Sequence, residues 1–315
     1  MIETHSVARG QAIAYLAALP RWPPLWDPPL EARRRERKQR VLRDSGKPQP
    51  VASVEEVEAA GVPGRLYQPF GNGLGGGHDV LVWFHGGGWV LHDVATFDPL
   101  ARALANAAGC AVLSVDYRLA PEHPFPAGLQ DCWSATCWAG DRFNRVAIGG
   151  DSAGGNLATV TALRARDAGL KLALQLLVYP VVDYAIGTPA YQAYRERYDL
   201  FAGQRGYGAT FQADLGWLWE QYIPDAAQRA GAEAAPIRAA SLAGLPPTIL
   251  ITAEHDLFRQ EDKAYARRLA SQGVPVELID YPGQVHGFLE ALAVMDDSRD
   301  AIKRSAAAIR VAFSH

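Results

Sequence analysis

Four glycines crowd one serine in AIGGDSAGGN, Ala147 to Asn156. Gly150-Asp151-Ser152-Ala153-Gly154 fits G-x-S-x-G, a spacing that alone is weak. Context strengthens it. The apolar run RVAIG leads in and the helix-like NLATVTALRARDAG leads out. That is the strand–turn–helix of a nucleophile elbow, in which a sharp turn pushes a serine into the open. The flanking glycines leave room for neighbouring backbone, and the following helix aims its free N–H groups at the serine.

A serine hydroxyl is a poor nucleophile until a base takes its proton, so a histidine and an orienting acid are required. His286, in GQVHGF, follows the apolar run VELIDY. Loops at the C-terminal ends of strands are where α/β sites assemble. In this arrangement the acid lies between serine and histidine in chain order. Asp256 follows the run TILITAE and is the favoured acid. Glu254 lies at the strand edge and Asp280 inside a strand, which makes both weaker rivals. A loop histidine alone is most often a plain surface residue; three parts in the required order, each at a strand end, argue otherwise.

An oxyanion needs N–H donors. HGGGW, His85 to Trp89, follows VLVWF directly. Consecutive glycines let backbone amides turn inward. Gly86 and Gly87 are the expected donors, with Ala153 N–H as the third, and His85 is read as structural. Trp89, Trp217 and Trp219 are candidate substrate-wall residues, although such aromatics are as often plain core.

These groups need a scaffold. Short apolar runs recur at 80–84, 110–117, 145–150, 173–180, 248–254 and 276–281, most of them apolar on both faces. Strands of that kind belong to a mostly parallel sheet covered on both sides. Helical stretches at 96–109, 127–139, 155–168, 261–272 and 297–313 alternate with them, giving an α/β layer fold. The glycine cluster at 71–78 reads as a turn before a strand. Residues 184–240 break the rhythm with many aromatics and no strand-like run, so a helical cap insertion is expected there. Residues 1–50 read as an N-terminal cap segment, leaving 51–183 and 241–315 as the core. The basic run Glu31 to Arg43, with seven basic and two acidic side chains, is expected to be a solvated helix face.

The whole chain has 315 residues and a net charge of −3, which gives no global pull toward nucleic acid or membrane. No segment is long and apolar enough to span a bilayer. Three cysteines, Cys110, Cys132 and Cys137, suit a reducing cytoplasm. No clustered His or Cys pattern suggests a metal.

HGGGW, DYRLAPEHPFPA (116–127), GGDSAGGNLA (149–158), AEHD and YPGQVHGF (281–288) resemble the hormone-sensitive-lipase-like branch of the α/β-hydrolases, bacterial esterase family IV. The likeness covers roughly residues 55–313. It implies an α/β-hydrolase fold with about eight strands and a helical cap. It implies carboxylic ester hydrolysis through an acyl-enzyme and without a cofactor; the abundance of cap aromatics hints at an apolar acyl or aryl group, and a cap over the site restricts long chains, so small esters of short- to medium-chain or aryl type are expected. The likeness carries nucleophile, acid and base onto Ser152, Asp256 and His286, and oxyanion donors onto Gly86, Gly87 and Ala153. Family members often have Asp-Pro-Leu at the acid, where this chain has Asp256-Leu257-Phe258. Asp116, Arg118 and Glu122 are expected to form buried ion pairs. The same triad would serve an arylformamidase, amidase or lactonase. A non-catalytic small-molecule receptor on this fold would lack His286. A homodimer is compatible with the sequence.

Overall fold

The computed structural model describes residues 2–19, 24–27, 29–71, 78–186, 188, 191–192 and 207–314. Residues 72–77 of the glycine cluster and most of the aromatics at 191–206 lie outside these residues.

Eight strands form one sheet: β1 (Ser53–Ala59), β2 (Val62–Gln68), β3 (Asp79–Phe84), β4 (Ala111–Val115), β5 (Arg145–Asp151), β6 (Leu174–Val178), β7 (Thr248–His255) and β8 (Val276–Val285). Their spatial order is β1-β2-β4-β3-β5-β6-β7-β8. Pairing is parallel from β4 through β8, and β1 and β2 add an antiparallel edge. The six apolar runs are β3 to β8. Along β3, Val80 to Phe84 have no exposed surface, as strands covered on both faces must. Helices α3 (Asp98–Ala108), α4 (Ala127–Gly140), α5 (Ala153–Asp167), α7 (Arg259–Ser271) and α8 (Asp296–Ala312) supply the cover. Among them α3 packs with α8 and α4 with α5.

The β1–β2 hairpin is not evident from apolar runs, because SVEEVEA at the sheet edge carries three glutamates and no apolar stretch. Its two-residue turn, Ala60-Gly61, has φ of 56° and 80°. Positive φ at both central positions matches the right-handed twist of the strands.

Helix α2 (Leu30–Ser45) departs from the expected solvated face. Arg33 has no exposed surface, and its guanidinium donates to Glu36 and to the Pro24 carbonyl. Arg34 donates to the carbonyls of Val90 and Ala120 and pairs with Glu122 at 2.7 Å. Lys38 pairs with Asp93 at 2.6 Å. The basic run is an adhesive strip that fixes α2 to the loops above the sheet. The segment 116–122 differs too. Its charges pair outside the segment and near the surface: Arg118 with Asp131, Glu122 with Arg34, and Asp116 as acceptor of the Val94 N–H.

The turn between β5 and α5 is the tightest point of the fold. A Cβ on Gly154 would lie 2.0 Å from the Phe84 carbonyl oxygen, and one on Gly150 would lie 2.4 Å from Gly154 backbone. By contrast, Gly216 in α6 (Tyr207–Tyr222) has nothing within 4 Å of that position. Gly154→Ala is therefore expected to lose about 3 kcal/mol or more. Gly216→Ala should gain up to about 1 kcal/mol from helix propensity. Urea midpoints of the two variants check both signs.

Candidate active site

Four strands of the sheet end immediately before residues of interest: β3 before His85, β5 before Ser152, β7 before Asp256, and β8 before His286. Parallel pairing puts these ends side by side, which is how residues far apart in the chain meet.

Ser152 sits at φ 54°, ψ −118°, a conformation costly for a residue with a Cβ. Its N–H donates to the Val178 carbonyl and its carbonyl accepts from Val181, so β6 and the chain after it hold the strained turn. The His286 ring lies between two partners. Its Nε2 is 3.0 Å from Ser152 Oγ and its Nδ1 is 2.7 Å from Asp256 Oδ2. Asp256 is a pure acceptor when ionised, which assigns the proton to Nδ1 and leaves the Nε2 lone pair facing the hydroxyl. Asp256 is fully buried, and its other oxygen accepts the Phe258 N–H at 3.0 Å. The two rival acids are occupied elsewhere. Glu254 accepts from Gly283 N–H, and Asp280 pairs with Arg259 and Lys263.

Behind Asp256 lie two more buried carboxyls, Glu261 and Asp262. Burial is the main cause that pushes both well above the usual carboxylate range, and the nearby Asp256 charge adds to it. Glu261 also accepts the Tyr191 hydroxyl at 3.0 Å.

The glycine loop differs from expectation at one residue. Gly86 N–H points back to Asp151 Oδ1 at 3.0 Å and is not free for an oxyanion. Among the described residues, the amides of Gly87 and Gly88 have no protein acceptor. Ala153, the first residue of α5, presents an amide with no intrahelical partner. His85 anchors the loop from below. It is buried, its Nδ1 lies 2.8 Å from the Gly86 carbonyl, and its ring stacks on Tyr117 at 4.5 Å. Burial pushes this imidazole down and keeps it neutral. The Tyr117 hydroxyl donates to the His85 carbonyl at 2.7 Å.

The tryptophans divide. Trp89 and Trp219 are 1% and 0% exposed, so they have no surface to offer a substrate. They pack with Tyr222, whose ring is 4.4 Å from Trp89 and parallel to it. Only Trp217 is partly exposed. The residues that do crowd His286 are Tyr179, Phe258 and Phe211, with ring centroids 4.7, 5.2 and 5.5 Å away. Leu218 covers the other side, lying where a Cβ on Gly88 would be. Phe211 and Leu218 are seven residues apart on α6, two turns along one face, and that spacing is the only signal the sequence offered for them.

The decisive comparison is with families of known proteins. A model of the alpha/beta hydrolase fold matches residues 81–290. The chain belongs to this family. It falls in the hormone-sensitive-lipase-like branch that its motifs resemble, and it is a hydrolase. It is 40% identical over 246 residues to the carboxylesterase NlhH of Mycobacterium tuberculosis, covering 74% of each chain. It is 36% identical to an arylesterase of Saccharolobus solfataricus over 74% of this chain and 75% of that one. Among solved structures, a hyperthermophilic esterase of the archaeon Pyrobaculum calidifontis superposes with a TM-score of 0.82. That match has 33% identity and covers 95% of this hydrolase and 96% of the archaeal chain. None of the hydrolase's described helices is long and apolar enough to cross a membrane.

The aromatic division has a measurable consequence. Trp219→Phe should lower stability by about 1–3 kcal/mol, because it opens a gap in a closed core. KM should stay within about twofold of the parent value. Trp217→Ala should do the reverse, shifting KM with little change in melting temperature.

Proposed function

We propose that this hydrolase is a serine carboxylesterase acting on small carboxylic esters of short- to medium-chain or aryl type. The observation that carries the reading is the continuous hydrogen-bonded line Ser152–His286–Asp256, with bonds of 3.0 and 2.7 Å. In this reading His286 Nε2 takes the hydroxyl proton as Ser152 Oγ attacks the ester carbonyl. Asp256 holds the tautomer and stabilises the imidazolium. The carbonyl oxygen becomes an oxyanion held by the amides of Gly87, Gly88 and Ala153, with the α5 N-terminus adding its dipole. Gly86 keeps a supporting role: its N–H, tied to Asp151, fixes the loop so that the next two amides turn toward the substrate. His286 then protonates the leaving alcohol, and water releases the acid by the same path.

The cap comprises residues 1–50 and 184–240 over a core of 51–183 and 241–315. Supporting this, the Leu25 N–H donates to Asp214 of α6 at 2.8 Å, joining the N-terminal segment to the insertion. Phe211, Trp217 and Leu218 form the described part of the substrate wall. An apolar wall this close to the histidine favours compact apolar acyl or aryl groups. The buried thiols support a cytoplasmic setting: burial pushes Cys110 up to about 12, which leaves it protonated and inert.

A panel of p-nitrophenyl esters of increasing acyl length, run beside anilides, N-formylkynurenine and lactones, tests the reading. Ester turnover should dominate and fall with long chains. Ser152→Ala should abolish turnover, and Asp256→Asn should reduce kcat by about 10⁴. Full esterase activity in Ser152→Ala, or a preference for the formamide or amide, would overturn it.

A further inference from the structure

His286 is followed by a turn of 3-10 helix, Phe288–Glu290, and this segment is docked on the C-terminal end of α2. The Ser45 hydroxyl donates to the Glu290 carbonyl at 2.6 Å, and Ala293 N–H donates to the Asp44 carbonyl at 3.0 Å. Between these backbone ties the Glu290 carboxylate faces Arg40, with Nη2 3.8 Å from Oε2. Both side chains are largely enclosed, at 13% and 15% exposure. A carboxylate enclosed this far is costly unless it is paired, and Arg40 is the partner within reach.

Its surroundings are specific. From α2 come Arg37, Arg40 and Asp44, and from α1 (Ile2–Ala18) comes Tyr15. From the elbow comes Asp151, from the turn after β6 comes Tyr179, and from its own segment comes His286. Two carboxyls in this group, Asp151 and Glu290, repel each other, so one tends to keep a proton. Asp151 accepts the Gly86 amide, and burial pushes it well above the usual range. Glu290 is also raised by burial, but Arg40, His286 and Arg37 pull it back down. Arg40 is the cation within ion-pair reach of Glu290, and it favours the charged form of that carboxyl.

We propose that Glu290 is a positioning residue for the reaction: a second carboxylate, outside the Ser152–His286–Asp256 line, that favours the imidazolium on His286 and ties the histidine-bearing loop to Arg40 of the N-terminal helix. The proposal rests on the reading of His286 as the proton acceptor. It makes α2 part of the electrostatics of the site as well as its cover.

The test is the pH profile of kcat/KM and kcat on p-nitrophenyl butyrate for the parent, Glu290→Gln, Glu290→Asp and Ser152→Ala, with melting temperatures alongside. Activity rises with pH as the base loses its proton. Without the Glu290 charge the cationic ring is less favoured, so the acid limb of Glu290→Gln should move to lower pH by several tenths of a unit. Its plateau kcat should fall roughly three- to tenfold, with KM within about twofold. Glu290→Asp should restore part of both. If Glu290→Gln does not fold, Glu290→Asp carries the test with a smaller shift in the same direction. An acid limb that stays at the parent position overturns the proposal, whatever happens to kcat or melting temperature, since a merely structural glutamate would change only those. Ser152→Ala separates the two readings. Retained activity there removes the triad itself, whereas an inactive Ser152→Ala with an unmoved acid limb removes only the role of Glu290.

Discussion

The site depends on one backbone conformation, that of Ser152. A residue with a Cβ does not rest at φ 54° and ψ −118° unless the surroundings over-determine it. Three sets of contacts do so here. Gly150 and Gly154 bring the elbow against the end of β3, closer than any side chain would allow. The serine N–H and carbonyl are both engaged by residues at and beyond the end of β6. Helix α5 begins at the next residue and is buried along nearly all its length. Relaxing the turn would break sheet packing, helix packing and two hydrogen bonds together, so the local strain is small beside what maintains it.

From that fixed point the rest follows by adjacency in the sheet. β5 lies between β3 and β6, and β7 and β8 come next. The glycine loop therefore stands on one side of Ser152, and Asp256 and His286 stand on the other. Burial raises Glu261 and Asp262 near Asp256, and α2 brings Arg37 and Arg40 toward Glu290.

Much of this was legible in the sequence, for identifiable reasons. β3 to β8 announce themselves because strands covered on both faces must be apolar throughout. β1 and β2 do not, because an edge hairpin with one wet face mixes glutamates into its pattern. Ser152, Asp256 and His286 were readable because each directly follows a strand and their order is constrained. That the Gly86 amide is already engaged was not legible, because a run of three glycines carries no internal marker of which amide is free. That depends on where the Asp151 carboxyl lies, a contact between residues 65 positions apart. Trp89 and Trp219 proved to be core because size and aromaticity do not distinguish a wall from a core. The basic run of α2 misled for the opposite reason: arginines can bury their stems and guanidinium planes when carbonyls await them, as Arg33 and Arg34 do.

The stacking of Trp89 on Tyr222 extends beyond packing. Trp89 directly follows the last glycine of the loop, at φ 61°, and Tyr222 is the last residue of α6. The Tyr222 carbonyl also accepts the Phe125 N–H at 2.7 Å, so the end of α6 is fastened to the scaffold as well as to the loop. Helix α6 and the glycine loop are therefore one mechanical unit. A chimera that transplants a foreign cap onto this core would have to bring its own glycine-loop tryptophan with it, and recombination within the family should respect that joint as a boundary.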